Sequence, residues 1–423
     1  MTDLVLKSAR LLDGRVADIS ITDSVIVHIG SSESGDETIE CHSRLSIPAA
    51  IDMHVHMRDG LQAAKEDWAS GTAAAVAGGV AAVVDQPNTV PPMETVANFT
   101  ARVTRAKEKS FCHFAINGSV MENSDLSGLW HAGVLAFGEM FVAPSSYGQV
   151  LSLEMIRSAL VELDKAEALV MVHAEEVKPG EMRSLAEHAV SRPISGEAAA
   201  VDLVNSLAPA GTKLHYCHMS GVESISRAAA RPGTTCEVAP HHLFLSCEEH
   251  DAADTRFRTN PPLRTRAERL ALWRVFDAVP VIASDHAPHT RTEKAQPFES
   301  APSGVPGVET MLPLLMNAVF EGKIPLASVI EKTVINPYNI LGLTTPELGV
   351  GSRADIAIYA EKPRTIHSED LHSRCDWTPY EGTPGLFPET TIVGGIPAWH
   401  RNEFSRGGHL WFAGKGKSSS IKY

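Results

Sequence analysis

The order of hydrophobic and polar positions divides the chain into three parts. Short apolar runs without a helical period occupy roughly the first 45 residues, and strand-like runs return after about residue 345. Between these ends, eight short apolar runs alternate with longer amphipathic segments rich in alanine and leucine. The eight runs cover residues 45–55, 79–85, 111–117, 134–141, 168–173, 213–218, 234–238 and 279–284.

This alternation predicts an α/β fold in which eight parallel strands and their helices close into a (β/α)8 barrel of the TIM type. The β-rich ends predict one small β-sandwich built from both termini. We therefore predict a composite β-sandwich from residues 1–48 plus 345–423, and a barrel from residues 49–344. A doubly wound open sheet is the alternative, although no GxGxxG motif supports it.

Composition narrows the class of protein. A chain of 423 residues that is 43% hydrophobic has room for a large domain and a smaller one. Six scattered cysteines without a CxxC pair argue against a disulfide framework and against a cysteine zinc site. A net charge of −14 gives no support to nucleic-acid binding. Because no apolar run could span a membrane and no export signal is visible, we predict a cytoplasmic location.

Polar side chains close several of the apolar runs at their carboxyl ends. His54 and His56 lie two residues apart in the first run, so they face the same side of a strand, and two adjacent imidazoles suit a zinc ion. Four further runs end near a metal-binding type of residue, namely Glu139, His173, His218 and Asp285. An isolated HxH pair could be an ordinary part of an edge strand. Five strands that end in this way indicate a shared site, because active sites of barrels lie at the carboxyl ends of the strands.

These residues predict a site for two metal ions. His54, His56 and Asp285 are predicted to hold one ion, His173 and His218 the other, and Glu139 to bridge them. Two divalent ions roughly 3.5–4 Å apart lower the pKa of a shared water, supply hydroxide at neutral pH and polarise a substrate carbonyl. Asp285 is predicted to act as general base and then as general acid. Nucleophilic catalysis by a side chain is disfavoured, since no GxSxG elbow accompanies a triad.

Four other polar residues near these runs are predicted to support the site or the core rather than to bind metal. His215, His241 and His242 are predicted to form hydrogen bonds beside the site or in the core rather than to bind metal. Asp52, two residues before His54, is predicted to support a ligand from below.

Ordered sequence blocks span nearly the whole chain. They are IDMHVHMRD (51–59), KEDWASGTAAAVAGG (65–79), DQPNTVPP (85–92), VHAEE (172–176), HYCHMSG (215–221), EVAPHHLFLS (237–246), RTNPPLR (258–264), SDHAPHT (284–290) with EK (293–294), GVPGVET (304–310) and DWTPYEG (376–382). Together these blocks resemble the amidohydrolase superfamily, and within it the dihydroorotase family.

The resemblance implies a barrel with a composite β-sandwich, zinc, and the reversible cyclisation of N-carbamoyl-L-aspartate to L-dihydroorotate in de novo pyrimidine biosynthesis. It assigns the substrate carboxylate to Arg58, Asn88 and His289, with Asn260 nearby. Chemistry agrees, because the guanidinium fork of arginine matches a carboxylate. The expected partners are this small-molecule substrate and, as an option, a second copy of the chain in a homodimer; neither nucleic acid nor a membrane is expected.

The sequence departs from the superfamily pattern at the bridging position. Many members bridge the metals with a carbamylated lysine on the fourth strand, whereas the segment 138–140 contains Glu139 and no lysine. Two interpretations of Glu139 therefore stay open. It bridges the two metals, or it is a core or supporting acid. In the second case another acid forms the bridge or the site holds a single metal. A mobile loop over the substrate is not identifiable.

Two other functions stay open. One is a different cyclic amidase, such as a hydantoinase, a dihydropyrimidinase or an allantoinase. The other is an inactive dihydroorotase-like scaffold for a partner such as aspartate transcarbamoylase. The retained metal ligands favour an active enzyme. The residues assigned to the substrate carboxylate, called the substrate clamp below, favour one that binds a ring carboxylate; they are Arg58, Asn88 and His289, with Asn260 nearby.

Overall fold

The two ends of the chain build one β-sandwich in the computed structural model, which describes residues 2–31, 35–143 and 150–417. The strands of the first sheet are β1 (Leu4–Arg10), β2 (Val16–Thr22), β3 (Val25–Gly30) and β4 (Glu37–Glu40). Their order is β3-β2-β1-β4, with β4 parallel to β1 and the other pairs antiparallel. The short strand β5 (Ser46–Pro48) leads into the barrel.

Eight parallel strands follow in the central part of the chain. They are β6 (Ala50–Val55), β7 (Val80–Asp85), β8 (His113–Ile116), β9 (Phe137–Phe141), β10 (Leu169–His173), β11 (Lys213–Tyr216), β12 (Thr234–Val238) and β13 (Val281–Ile282). They pair in sequence order, and two backbone contacts close the ring. Gly118 N–H donates to the Ala136 carbonyl at 3.0 Å, and His56 N–H donates to the His286 carbonyl at 2.8 Å. The predicted eight-stranded barrel is therefore confirmed.

Helices surround the barrel and connect its strands. They are α1 (Trp68–Ala77), α2 (Val96–Lys109), α3 (Leu126–Ala132), α4 (Leu153–Lys165), α5 (Leu185–Ser191), α6 (Ile194–Leu207), α7 (Val222–Ala229), α8 (Pro240–Phe244), α9 (Arg266–Arg274), α10 (Arg291–Lys294), α11 (Met311–Phe320), α12 (Leu326–Ile330) and α13 (Asn336–Leu341). Helix α4 shows why they form: Ile156, Leu160 and Leu163 recur at helical spacing and are buried, and the Ser152 side chain accepts from Met155 N–H at the first turn. Among the described residues, each helix is too short or too polar to cross a bilayer.

The second sheet of the sandwich comes mainly from the C-terminal part of the chain. The strands of this part of the chain are β14 (Ile356–Tyr359), β15 (Arg364–Thr365), β16 (Pro384–Gly385), β17 (Pro388–Val393), β18 (Ile396–His400) and β19 (Glu403–Phe404). The sheet has the order β19-β18-β17-β14-β5, while β15 and β16 pair with each other as a separate ribbon.

Apolar side chains from both ends of the chain fill the space between the two sheets. This cluster includes Leu6, Ile19 and Ile39 from the first sheet and Ile356 and Ile392 from the second. Burying an aliphatic side chain of this size contributes about 1.5–3 kcal/mol. The composite sandwich is therefore confirmed, while its division from the barrel at residues 48 and 345 stays a prediction, and residues 418–423 of that range lie outside the described part.

The chain returns to the barrel after β19. Phe114 N–H on β8 donates to the Leu410 carbonyl at 3.0 Å, and Phe412 N–H donates to the Phe114 carbonyl at 2.8 Å. Trp411, between these two residues, packs near Phe99 of α2 with tilted rings whose centroids are 6.1 Å apart. This segment pairs with β8 at Phe114, before Ile116 and Gly118 meet residues 135–136, so residues 410–412 satisfy backbone groups that the barrel strands leave unpaired.

Candidate metal and substrate site

Six predicted metal ligands converge at the carboxyl ends of the barrel strands. They are His54 on β6, His56 directly after it, Glu139 on β9, His173 at the end of β10, His218 after β11 and Asp285 after β13. All six are buried. The parallel direction of the strands produces this arrangement, because it brings six side chains that are distant in sequence to one rim of the barrel.

The Glu139 carboxylate lies between two pairs of histidines. Its Oε1 atom is 2.9 Å from His173 Nδ1 and 2.7 Å from His218 Nε2. Its Oε2 atom is 3.7 Å from His54 Nε2 and 3.8 Å from His56 Nε2. Each carboxylate oxygen thus faces a different pair, which is the arrangement that a bridging ligand requires.

Asp285 also faces the first pair of histidines. Its Oδ1 atom is 3.6 Å from His54 Nε2 and 3.5 Å from His56 Nε2. Asp285 and His218 both have a left-handed backbone, with φ of 47° and 35°. Non-glycine residues rarely adopt this conformation, and such backbone strain concentrates at functional sites.

Two further buried carboxylates orient the histidines. Glu237 Oε1 accepts a hydrogen bond from His54 Nδ1 at 2.5 Å, and Glu175 Oε2 accepts one from His173 Nε2 at 2.6 Å. A carboxylate accepts only from a protonated nitrogen, so in neutral rings that hold a cation the lone pairs of His54 Nε2 and His173 Nδ1 would face the cluster. Carboxylates that orient metal-binding imidazoles in this way are common in metal sites.

Both acids of the cluster are held in their anionic form. Burial alone would raise the pKa of Glu139, but the charge of His54 and the hydrogen bonds of His173 and His218 hold it well below its ordinary value. Burial likewise opposes ionisation of Asp285, while the hydrogen bond of His56 and nearby imidazole charges lower its pKa below the ordinary value.

The cluster fits divalent cations. The ligand atoms of His54, His56 and Glu139 lie within 4.8 Å of one another, and so do those of Glu139, His173 and His218. His54 Nε2 is buried and has no hydrogen-bond partner among the described residues. A buried nitrogen lone pair that faces carboxylate oxygens is unfavourable unless a cation lies between them. Imidazole and carboxylate groups are also the ligands that zinc accepts.

A third group of ligand types lies deeper in the barrel but is a poorer site. It combines His54, Cys217 and Glu237. His54 Nδ1 is already hydrogen-bonded to Glu237, and burial raises the pKa of the Cys217 thiol. A protonated thiol is a weak ligand, because metals bind the thiolate.

A cavity of about 470 Å³ opens above the cluster. Four basic side chains line it, namely Arg58, Lys65, Arg192 and Arg258. Three acids, Glu139, Asp285 and Glu299, line it as well, so the lining has a small excess of positive charge, which on a chain with a net charge of −14 favours an anionic ligand. The cavity therefore joins a floor that fits cations to a wall that fits an anion.

All four predicted substrate-binding residues line this cavity. Arg58 Nη2 lies 3.4 Å from His289 Nε2, and the Arg58 Nε–H donates to the Pro288 carbonyl at 3.3 Å. The Asn88 amide donates to Glu139 Oε2 at 3.4 Å, so Asn88 connects the clamp with the cluster. Asn260 accepts from His188 Nε2 through its side-chain oxygen at 3.0 Å.

The histidines predicted not to bind metal contact other groups. His215 Nε2 is 3.0 Å from Glu237 Oε2, and its Nδ1 is 2.8 Å from Thr235 Oγ1. His242 Nε2 donates to the Pro261 carbonyl at 3.2 Å. His215 thus supports Glu237, which in turn orients a histidine of the cluster.

His241 and Asp52 lie closer to the cluster. His241 Nε2 is 4.0 Å from Asp285 Oδ2, outside hydrogen-bond distance. Asp52 Oδ1 accepts from the backbone N–H of His54 at 3.2 Å and of Ser284 at 3.0 Å. Asp52 therefore ties together the backbones of β6 and of the segment before Asp285, and does not contact an imidazole.

Five residues of the site were not singled out from the sequence: Glu237, Glu175, Lys65, Arg192 and Arg258. Glu237 had a usable signal, because it is a charged residue near the end of the seventh apolar run and follows the same rule as the predicted ligands. Glu175 lies two residues after His173. Arg192 forms an ion pair with Glu175 from the segment between α5 and α6, where no periodic pattern marks it.

Comparison with known proteins adds three findings. Residues 45–395 match the model of the Amidohydrolase family. A dihydroorotase of Halobacterium salinarum is 39% identical over 93% of this chain and 96% of its own length, and a dihydroorotase of Methanosarcina mazei is 37% identical over 99% of both. The structure is also similar to an L-hydantoinase (dihydropyrimidinase) from Arthrobacter aurescens, with a TM-score of 0.86 and 22% identity over 97% of this chain and 99% of the other.

Proposed function

Because the chain belongs to the amidohydrolase family, and within it to the dihydroorotases, we propose that it interconverts N-carbamoyl-L-aspartate and L-dihydroorotate. The observation that carries this proposal is the cavity in which Arg58 and three other basic side chains face the histidine and carboxylate cluster. The reaction needs both parts. A metal site is needed to hydrolyse or form the cyclic amide, and positive charge is needed to bind the carboxylate that dihydroorotate bears on its ring.

We propose that the cluster holds two zinc ions. His54, His56 and Asp285 would hold one ion, His173 and His218 the other, and Glu139 both, which agrees with the two oxygens of Glu139 facing separate pairs of histidines. When bound, such ions supply a water of lowered pKa and polarise the amide carbonyl. A single-metal site with Glu139 as a supporting acid is the remaining alternative.

Asp285 is the group of the chain that moves the proton. In ring opening, a water oxygen forms a bond to the ring carbonyl carbon, and the bond from this carbon to the ring nitrogen breaks. Asp285 accepts the proton that the water loses and delivers it to the departing nitrogen. In ring closure, Asp285 takes the proton of the ureido nitrogen as this nitrogen attacks the carbon of the carboxylic acid, and delivers it to the departing hydroxyl, which leaves as water. Its low pKa keeps it anionic and ready to accept the proton.

The clamp residues orient the substrate for this transfer. Arg58 offers a charged fork to the ring carboxylate, and Asn88 donates to Glu139 in the same cavity. His289 is beside Arg58, and Asn260 lines the same cavity. Holding the carboxylate fixes the ring, so that its amide bond lies over the cluster.

Turnover assays test the proposal directly. The purified protein is assayed with L-dihydroorotate, N-carbamoyl-L-aspartate, hydantoin, dihydrouracil and allantoin, and its metal content is measured in parallel. We expect turnover of the first two compounds and about two zinc ions per chain. Preference for an uncharged ring would instead identify a different cyclic amidase, and protein with neither zinc nor turnover would identify a scaffold.

Three wider predictions accompany this function. A role in pyrimidine biosynthesis follows from the proposed reaction, and a cytoplasmic location and a homodimer stay predictions. Cell fractionation checks the location, and light scattering of the purified protein checks the oligomeric state.

A further inference from the structure

Lys65 contacts a residue of the substrate clamp from a distant part of the sequence. Its ammonium Nζ lies 3.2 Å from His289 Nδ1, although the two residues are 224 positions apart. Lys65 is also paired with Glu293, whose Oε1 atom is 2.8 Å from Nζ. His289 itself is buried at the wall of the cavity, so this contact defines how its imidazole meets a ligand.

The contact with Lys65 restricts the protonation of His289. An ammonium group has only hydrogen atoms to offer, so Nδ1 must accept from it through its lone pair. In a neutral imidazole the single proton then lies on Nε2. The position of Nε2 agrees, because it is 3.0 Å from the Ser303 carbonyl oxygen, which can only accept.

The alternative protonation has weaker support. A proton on Nδ1 would need an acceptor, and the nearest carboxylate oxygen is Glu293 Oε2 at 3.8 Å, beyond hydrogen-bond distance. A doubly protonated ring is also disfavoured, since burial and the charges of Arg58 and Lys65 lower the pKa of His289 to about 3, against the opposing effect of Glu293. His289 is therefore neutral at ordinary pH.

The Nε2–H group lies beside Arg58 at the wall of the cavity. Nε2 is 3.4 Å from Arg58 Nη2, and both nitrogens carry hydrogen. One carboxylate oxygen placed beside both nitrogens can accept from the guanidinium and share the Nε2–H with the Ser303 carbonyl as a three-centre hydrogen bond. If the proton were on Nδ1 instead, the same oxygen would meet the Nε2 lone pair and be repelled.

We infer that Lys65 is a positioning residue that fixes His289 as the Nε2–H tautomer, so that His289 donates to the substrate carboxylate beside Arg58. This inference rests on the proposed function for the identity of the substrate. The tautomer itself depends on the contacts of His289 with Lys65 at Nδ1 and with Ser303 and Arg58 at Nε2, where the contact with Ser303, at 3.0 Å, is shorter than the 3.4 Å contact with Arg58.

A double-mutant cycle tests the role of Lys65 in binding. We expect Lys65→Met to raise KM for L-dihydroorotate about tenfold and to change kcat less than about twofold, as expected for loss of uniform binding. The amide of His289→Gln has no tautomers, so in this background Lys65→Met should change KM less than about twofold. Lys65→Arg should restore KM in part, and Lys323→Met, at an exposed lysine in the turn after α11, controls for the change in charge.

Nitrogen-15 NMR of the protein tests the tautomer without any substrate. The His289 signals are identified by their loss in His289→Gln. We expect Nε2–H in the wild type and a shift toward Nδ1–H in Lys65→Met. A wild-type ring protonated on Nδ1, or a KM increase of equal size in both backgrounds of the cycle, would overturn the inference. Absence of dihydroorotate turnover in the wild type would refute the proposed function instead, and the NMR result would still decide the tautomer.

Discussion

The floor and the wall of the cavity are built on different principles. The floor, formed by the histidine and carboxylate cluster, lies at strand ends, and buried carboxylates such as Glu237 and Glu175 orient its imidazoles. The wall, formed by the substrate clamp, lies on segments that follow the strands, and a cation, Lys65, orients its histidine. In the floor an anion leaves a lone pair facing inward, whereas in the wall a cation leaves a hydrogen facing inward.

This difference matches what each part has to bind. A metal ion needs lone pairs, and a carboxylate needs hydrogen-bond donors. The same side chain, histidine, serves both purposes because the charge of its partner selects which nitrogen carries the proton. Because the floor and the wall use their histidines differently, variants of the two parts should affect different quantities. These quantities are the rate of the chemical step, the affinity for substrate and the affinity for metal.

The largest expected effect is at Asp285, which is proposed both to bind metal in the floor and to transfer the proton. Asp285→Asn keeps an oxygen ligand but cannot accept a proton, so we expect kcat to fall about 10²–10⁴-fold while much of the zinc is retained. Steady-state kinetics and metal analysis measure the two quantities. Asp277→Asn, at an exposed position, is the matched control. Activity close to that of the wild type in Asp285→Asn would refute its role in proton transfer.

The second effect separates the wall from the floor. Arg58→Ala removes a charged hydrogen-bond donor, a loss of about 1.5–3 kcal/mol, so we expect kcat/KM for L-dihydroorotate to fall about 10–100-fold. Zinc content should remain that of the wild type, because Arg58 is not among the predicted ligands. Arg266→Ala, at an exposed arginine of α9, is the control. Unchanged affinity for substrate would remove Arg58 from the clamp.

The third effect concerns Glu237, which supports a histidine of the floor. Glu237→Gln replaces a charged acceptor of His54 Nδ1–H with a neutral amide, so we expect zinc affinity to fall about 10–100-fold. Competition with a chelator measures the affinity, and excess zinc should restore turnover. Glu154→Gln, in the exposed first turn of α4, is the control. Zinc affinity equal to that of the wild type would mean that Glu237 supports packing alone.

The sequence by itself determined the barrel and the floor of the cavity. Its alternation of apolar runs and amphipathic segments is a local signal, and it predicted the eight strands within a few residues. A polar residue at the carboxyl end of a strand is equally local. Because parallel strands bring these ends together, reading each strand separately was enough to assemble His54, His173, His218 and Asp285.

Only the tertiary structure decided how these groups are oriented. Glu237 meets His54 across the barrel, and Lys65 meets His289 between segments that are 224 residues apart. No periodic pattern encodes such contacts, since they depend on how loops and strands pack in three dimensions. The docking of residues 410–412 on β8 was likewise not visible in the sequence. Residue types fix which chemistry is available, but the partner of each imidazole, which only folding supplies, fixes which atom performs it.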